Sequence, residues 1–169
     1  MGQQWGEIDV RFRVNTLAPY ILAKSLLENL THTARVVNLA SAAQEKFDLD
    51  FLKGKNYSNP MQAYSESKLA LIAWTFAMAQ SQQNDIQFIA INPGSLLATK
   101  MVKDGFGIEG KDLSIGSDLL VETAISDKFI NANGLYFDND IEAFAKPNKM
   151  AMDLTQQGLL ISGMNQLVS

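Results

Sequence analysis

The chain is 169 residues long, 47% apolar and 19% charged, enough to enclose a sizeable core in one expected domain and too apolar for a disordered segment. Fourteen basic against 18 acidic residues give a net charge of -4 without a basic cluster, which disfavours a nucleic-acid groove. The absence of cysteine excludes disulfides, thiolate nucleophiles and iron-sulfur ligation, and a single histidine, His32, excludes a two-histidine metal site.

From Ile8 to Leu30 apolar residues recur every three or four positions, at Val10, Val14, Leu17, Ile21 and Leu22 among others. This periodicity predicts an amphipathic helix over 8–30, which Pro19 bends or interrupts. His32 falls in the connection after it and reads as a solvated loop histidine. The β-branched run Arg35-Val36-Val37-Asn38-Leu39-Ala40 predicts a buried strand over 35–41, ending at Ser41. The polar stretch from Gln44 to Asn59 is a long connection, of the kind that often carries function.

Asn59-Pro60 places an N-cap before a first-turn proline and predicts a helix over 60–82. Between Leu69 and Ala79 that helix is apolar nearly all round, so it should be buried against a sheet on one side and a second element on the other. A strand is expected over 86–92, stopped by Asn92-Pro93-Gly94, then a loop over 95–113. A helix over 114–126 capped by Ser114, a short strand over 134–137 and a final helix over 150–167 complete the chain. Strands alternating with helices imply parallel pairing through right-handed crossovers, hence an α/β sheet of three strands with helices on both faces. The longest apolar run is too short to span a membrane and no signal peptide is visible, which with the lack of cysteine fits a cytoplasmic setting. The sequons at Asn29 and Asn56 are then chance matches.

Tyr64-Ser65-Glu66-Ser67-Lys68 sets a phenol and an ammonium four residues apart, on one face of the helix over 60–82. A lysine cation stabilises the phenolate, which makes Tyr64 a usable general acid/base. Tyr20 and Lys24 share the spacing, but they precede the strand ending at Ser41 and lie in a packed helix, so this second pair reads as structural. Tyr64 follows that strand, whose C-terminal end is where open α/β sheets bind ligands. Gly105-Phe106-Gly107-Ile108-Glu109-Gly110 spells G-x-G-x-x-G but neither follows a strand directly nor opens a helix, and Glu109 opposes phosphate. It reads as a mobile substrate loop, in which Met101, Val102, Phe106 and Ile108 either shape an apolar pocket for an alcohol or carbonyl compound or pack on the domain.

Five segments in order resemble the short-chain dehydrogenase/reductase family: Val14-Asn15-Thr16-Leu17-Ala18-Pro19-Tyr20, Arg35 to Ser41, Tyr64 to Lys68, Asn92-Pro93-Gly94, and Thr99. The resemblance spans most of the chain, from near Ile8 to near Phe137, and the interval between Ser41 and Tyr64 is similar to the retinol-dehydrogenase-like branch. It implies the C-terminal part of a Rossmann-like doubly wound parallel sheet, and an oxidoreductase that interconverts an alcohol and a carbonyl with NAD or NADP. By the same resemblance, Tyr64 is the general acid/base and Lys68 holds the nicotinamide ribose. Ser41 hydrogen-bonds the reacting oxygen, and Asn15 holds a water that links Lys68 to solvent. Pro93 and Gly94 pass close to the nicotinamide. The family's cofactor-binding threonine usually comes one residue sooner than Thr99, so Ser95 or Thr99 takes its role, and Ala40 stands where a second serine is common. No metal is implied.

The family's first βαβαβ half and its Gly-rich turn have no counterpart in residues 1–169, so these residues alone should bind NAD(H) and NADP(H) poorly. The strand over 35–41 is then an open edge. Three readings are open: part of a longer dehydrogenase, a chain complemented by a partner that supplies the strands, or a truncated, inactive product acting as an interaction module. The helices over 8–30 and 60–82 are the pair this family uses to dimerise, and a homo-oligomer through them is expected.

Overall fold

The computed structural model describes residues 6–81 and 85–168, and the side chains of all of these except Met101 and Phe106. The predicted end of the second helix at Gln82 lies outside the described residues.

The first helix is not continuous. Asp9 caps a short α-turn, α1 (Val10–Phe12), by accepting from the Arg11 amide at 2.8 Å. A π-helical turn (Arg13–Leu17) follows, closed by the Ala18 amide donating to the Arg13 carbonyl. Then comes α2 (Ala18–Leu26), with Pro19 in its first turn, and a 3-10 turn (Leu27–Asn29). The interruption expected at Pro19 therefore lies just before it: proline has no amide to give back to the preceding turn, and the ladder widens there. His32 is exposed in the turn that leads to β1 (Arg35–Leu39).

The long connection to the next helix is anchored by Phe47 and by a 3-10 turn (Leu49–Lys53). Phe51, in that turn, stacks on Phe12 with ring centroids 4.0 Å apart. The helix α3 (Pro60–Ser81) is capped by Asn59, whose Oδ1 accepts from the Met61 amide at 2.9 Å. Of its residues, Ala63, Leu69, Leu71, Ile72, Trp74 and Phe76 are all buried, because it packs on the sheet and, on its other side, on the final helix. The second covering element is thus the chain's own final helix.

After β2 (Gln87–Asn92), the segment read as loop 95–113 contains a helix, α4 (Lys100–Phe106). Thr99 caps it, and Gly107 ends it in the left-handed region at φ +67°. The base of this lobe is clasped by a bridge between Leu97 and Lys111, where the Ala98 amide donates to the Lys111 carbonyl and the Lys111 amide to the Leu96 carbonyl, both at 2.7 Å. Gly110 makes the clasp possible: at φ +82°, a Cβ there would lie 2.8 Å from the Ala98 backbone. Gly105 and Gly107 thus belong to a short helix and its cap, and Gly110 to a bridge.

The helix α5 (Ser114–Ile125) is capped by Asp112 rather than Ser114, with Asp112 Oδ1 accepting from the Ser114 amide at 2.9 Å. β3 (Tyr136–Asp138) is followed by a fourth strand that the sequence did not reveal, β4 (Ala143–Ala145). The helix expected from residue 150 begins instead as a 3-10 turn (Lys149–Met152), and α6 (Leu154–Val168) starts after Asp153, which accepts from the Thr155 amide at 2.8 Å.

The sheet runs in the order β1-β2-β3-β4; the first three strands are parallel and β4 is antiparallel to β3, so the all-parallel, three-stranded expectation is corrected. β2 sits between two cores by strand alternation: Phe88 and Ala90 join α3 and α6, while Ile89 and Ile91 join Leu119 of α5. With helices on both faces, the molecule is an α/β sheet of mostly parallel strands. No helix among the described residues is long and apolar enough to cross a membrane.

Candidate active site

The C-terminal ends of β1 and β2 open onto a cleft of about 220 Å³. Its lining includes Ser41, Tyr64, Pro93, Gly94, Leu97 and Thr99. In a parallel sheet this is the end where successive connections diverge and leave room for a ligand.

Ser41 enters the cleft because β1 ends there. Its carbonyl is fixed by two donors, the Tyr136 hydroxyl at 3.1 Å and the Gln44 side chain at 3.0 Å. Burial, and next the Asp138 charge, push the Tyr136 phenol well above its usual pKa, so it remains a donor to that carbonyl. The Ser41 hydroxyl oxygen accepts from the Ala43 amide at 3.1 Å, which leaves its proton to be donated.

Tyr64 is half-buried in the first half of α3. Lys68, one turn further on, holds its ammonium 5.8 Å from the centre of the Tyr64 ring and donates to the Leu39 carbonyl at 2.7 Å. Burial lowers the Lys68 pKa from 10.5 to about 8. Asn15, on the π-helical turn, donates to the Ser67 hydroxyl at 3.0 Å, and Ser67 donates to the Tyr64 carbonyl at 2.7 Å. The neighbouring Thr16 donates to the Ser67 carbonyl at 2.8 Å. The irregular turn is therefore bolted to α3 between the tyrosine and the lysine. Tyr20 and Lys24 are far from this arrangement: both donate to the Asn165 side chain of α6, at 2.8 and 2.7 Å.

On the opposite wall, Gly94 takes φ +120°, which lets the loop after β2 turn back beneath Leu97 and Ile115. That loop is tied to the turn after β3. Asn92 donates to Asp138 at 2.8 Å and to Asp140 at 2.9 Å, while its own oxygen accepts from the Gly94 amide at 3.3 Å. Asp140 also takes both the amide (2.9 Å) and the hydroxyl proton of Ser95, and lies 3.8 Å from the Lys111 ammonium. Burial works to raise the Asp140 carboxyl, but the Ser95 and Asn92 hydrogen bonds and the Lys111 charge outweigh it and hold it below the usual carboxylate value. Thr99 Oγ1 accepts from the Val102 amide at 3.3 Å and keeps its proton.

The sequence matches the family model described as short chain dehydrogenase over residues 3–106, more than half of the chain. The chain belongs to the short-chain dehydrogenase family. Among curated proteins no sequence matches it. Solved structures do resemble it. An uncharacterised protein from Mycobacterium paratuberculosis superposes with a TM-score of 0.72 at 21% identity, over 95% of this chain and 59% of its own. A short-chain dehydrogenase/reductase from Burkholderia multivorans with bound NADP gives 0.56 at 16% identity, over 83% of this chain and 58% of its own. A 4-hydroxyisoleucine dehydrogenase complexed with NADH gives 0.52 at 25% identity, over 75% of this chain and 55% of its own. The chain thus spans between 55% and 59% of the length of these three proteins.

In this chain the structure brings Ser41, Tyr64, Pro93, Gly94, Ser95 and Thr99 to one cleft, sets Lys68 against the Tyr64 ring, and ties Asn15 to the same helix through Ser67. Sequence reasoning missed Asp140. Its signal was the run Asp138-Asn139-Asp140 directly after a strand, at the sheet end that carries the other groups. Asp140→Ala leaves the Ser95 amide and hydroxyl without their charged acceptor and is expected to lower unfolding free energy by about 0.5–1.5 kcal/mol. Urea denaturation measures this, and an unchanged midpoint would mean that the loop after β2 is held by other contacts.

Proposed function

We propose that the chain is an NAD(P)-dependent oxidoreductase that interconverts a small apolar alcohol and its carbonyl compound, with Tyr64 as general acid/base. The observation that carries this reading is that Ser41 and Tyr64 share one cleft, with the half-buried Lys68 ammonium over the tyrosine ring. The cleft suits the nicotinamide end of a dinucleotide: Pro93 and Leu97 offer an apolar wall, and Ser41 and Thr99 offer hydroxyl donors within it. A nicotinamide bound there supplies or takes up the hydride.

In the reducing direction, Tyr64 gives its phenolic proton to the carbonyl oxygen as the carbonyl carbon receives hydride, and in the oxidising direction the phenolate removes the alcohol proton. Ser41 donates to the same oxygen as charge develops on it. Lys68 gives the phenolate a counter-charge and retains protons to offer a ribose hydroxyl. Asn15 uses its amide nitrogen on Ser67, which leaves its oxygen for a water between Lys68 and solvent. Of the two candidates for the cofactor-side hydroxyl, Thr99 fits better than Ser95, whose proton already goes to Asp140. The long connection from Ser41 to Tyr64, folded around Phe47 and Phe51, supports the retinol-dehydrogenase-like branch.

The test supplies the full-length protein with NADH or NADPH and a panel of aliphatic and aromatic aldehydes, and monitors loss of the reduced-nicotinamide absorbance. Loss that needs both carbonyl compound and protein is expected. No loss with any pair would overturn the oxidoreductase reading and leave that of an interaction module.

A further inference from the structure

A second cleft, of about 400 Å³, lies on the other side of Tyr64. Val10, Val14, Pro60 and Met61 form its apolar walls, with Asn15 and Gly105 at its edges. Tyr64 and Met61 line both clefts, so the tyrosine stands on the ridge between them. The walls come from α1, the π-helical turn, the first turn of α3 and the last turn of α4, four pieces of chain that converge only through the fold. Val10 is 52% exposed, Val14 62% and Met61 46%, which leaves an apolar surface directly beside the proposed acid/base.

The charges around this cleft decide what fits. Arg11 is the cation in its lining, and its guanidinium is gripped by both oxygens of Asp9, at 2.9 and 3.2 Å. The pair cancels, so the Val10/Val14 part of the cleft offers no unmatched charge, while the Lys68 ammonium stands at the Tyr64 end. Its volume falls within the range of about 300–1,000 Å³ typical of small-molecule sites, and its continuity with the Tyr64 cleft sets an occupant's polar end at the tyrosine.

We infer that the Val10/Val14/Pro60/Met61 cleft is the binding site for the uncharged aliphatic tail of the substrate, whose hydroxyl or carbonyl group sits at Tyr64. This inference rests on the oxidoreductase reading and deepens it: the tail lies against the irregular first helix and the start of α3, rather than against the lobe over 95–113. The π-helical turn then has two tasks, since it presents Val14 to the tail and Asn15 to Ser67 one residue later.

The test is an amide-resonance titration of the full-length protein, without cofactor, using butan-1-ol, pentan-1-ol and hexan-1-ol, with hexylammonium as the charged counterpart. Saturable shifts at Val10, Val14 and Met61 are expected, with binding tightening about fourfold for each methylene. Hexylammonium should bind at least about tenfold more weakly than hexan-1-ol, because its ammonium must leave water to sit beside the Lys68 ammonium at the Tyr64 end. Val14→Asp and, as a second variant, Met61→Gln should each weaken hexan-1-ol binding, the former about tenfold or more.

Shifts that avoid these residues, no dependence on chain length, hexylammonium binding as tightly as the alcohol, or affinity unchanged in both variants would each overturn the inference. So would shifts of the same amides with protein concentration alone, which would mark a second copy as the occupant. The two readings fail separately. Alcohol binding at the cleft without turnover counts against the oxidoreductase, and turnover that survives Val14→Asp and Met61→Gln with unchanged KM counts against the cleft.

Discussion

Tyr64→Phe in the full-length protein is expected to lower the rate of hydride transfer by about 10²–10⁴-fold while the melting transition stays in place. The substitution removes one hydroxyl from a half-buried ring at the cleft and keeps the ring itself, with the Lys68 ammonium beside it. Among the described residues no hydrogen bond is made by that oxygen, so the stability change should stay within about 0.5 kcal/mol. The matched control is Tyr20→Phe. Tyr20 is buried, meets Trp74 edge-on with centroids 5.5 Å apart, and spends its hydroxyl on Asn165. Its loss should cost about 1 kcal/mol of stability and leave the rate untouched. Single-turnover measurement with a reducible aldehyde, alongside urea denaturation, separates the two. A Tyr64→Phe protein that transfers hydride at the original rate would move the acid/base role to another group.

The contrast between these two tyrosines explains how much of the site is readable without the fold. Both stand four residues before a lysine, and only position along the chain, after the strand that ends at Ser41, singles out Tyr64. That order is sufficient because a parallel sheet converts sequence order into position: the connection leaving a strand starts at its C-terminal end, where ligands bind. β1 and β2 are legible for a similar reason, being short β-branched or aromatic runs with turn residues behind them.

β4 carries no such signal. Ala143-Phe144-Ala145 becomes a strand by pairing with β3 and by seating Phe144 against Phe129 and Phe137, at 5.5 and 5.3 Å, contacts that no local pattern encodes. The helix α4 is hidden differently: Thr99 and Gly107 are ordinary cap signals, but they enclose seven residues with a glycine among them. Asp140 is hidden by distance, since its partner Ser95 lies 45 residues away and on a different connection. The all-round apolar pattern of α3 does indicate burial on two sides, but a pattern within one helix cannot distinguish a second copy from α6 of the same chain as its second cover.

Lys68 leads to the second large effect, in which stability and function move in opposite directions with pH. Burial brings its folded-state pKa to about 8, whereas the unfolded chain restores the usual 10.5. Between those values the unfolded state binds more protons than the folded one, so stability rises with pH through this window. The gain is present in full only above the unfolded value, and it is lost as pH falls through 8. From pH 8 to about 9.5 the expected increase is about 1.5 kcal/mol, and Lys68→Met should flatten that part of the curve. The hydride-transfer rate should fall over the same interval, because the phenolate of Tyr64 loses its counter-charge as Lys68 deprotonates. Denaturant unfolding and single-turnover rates at matched pH values provide the measurement. Stability that is flat in the parent protein would mean that the ammonium is better solvated than its burial against Leu39 and Tyr64 implies. A parallel rise of rate and stability would instead mean that neutral Lys68 suffices. The opposed slopes would have one physical origin: the fold holds a cation where water is scarce, and the charge that destabilises the protein below pH 8 is the one on which the proposed acid/base depends.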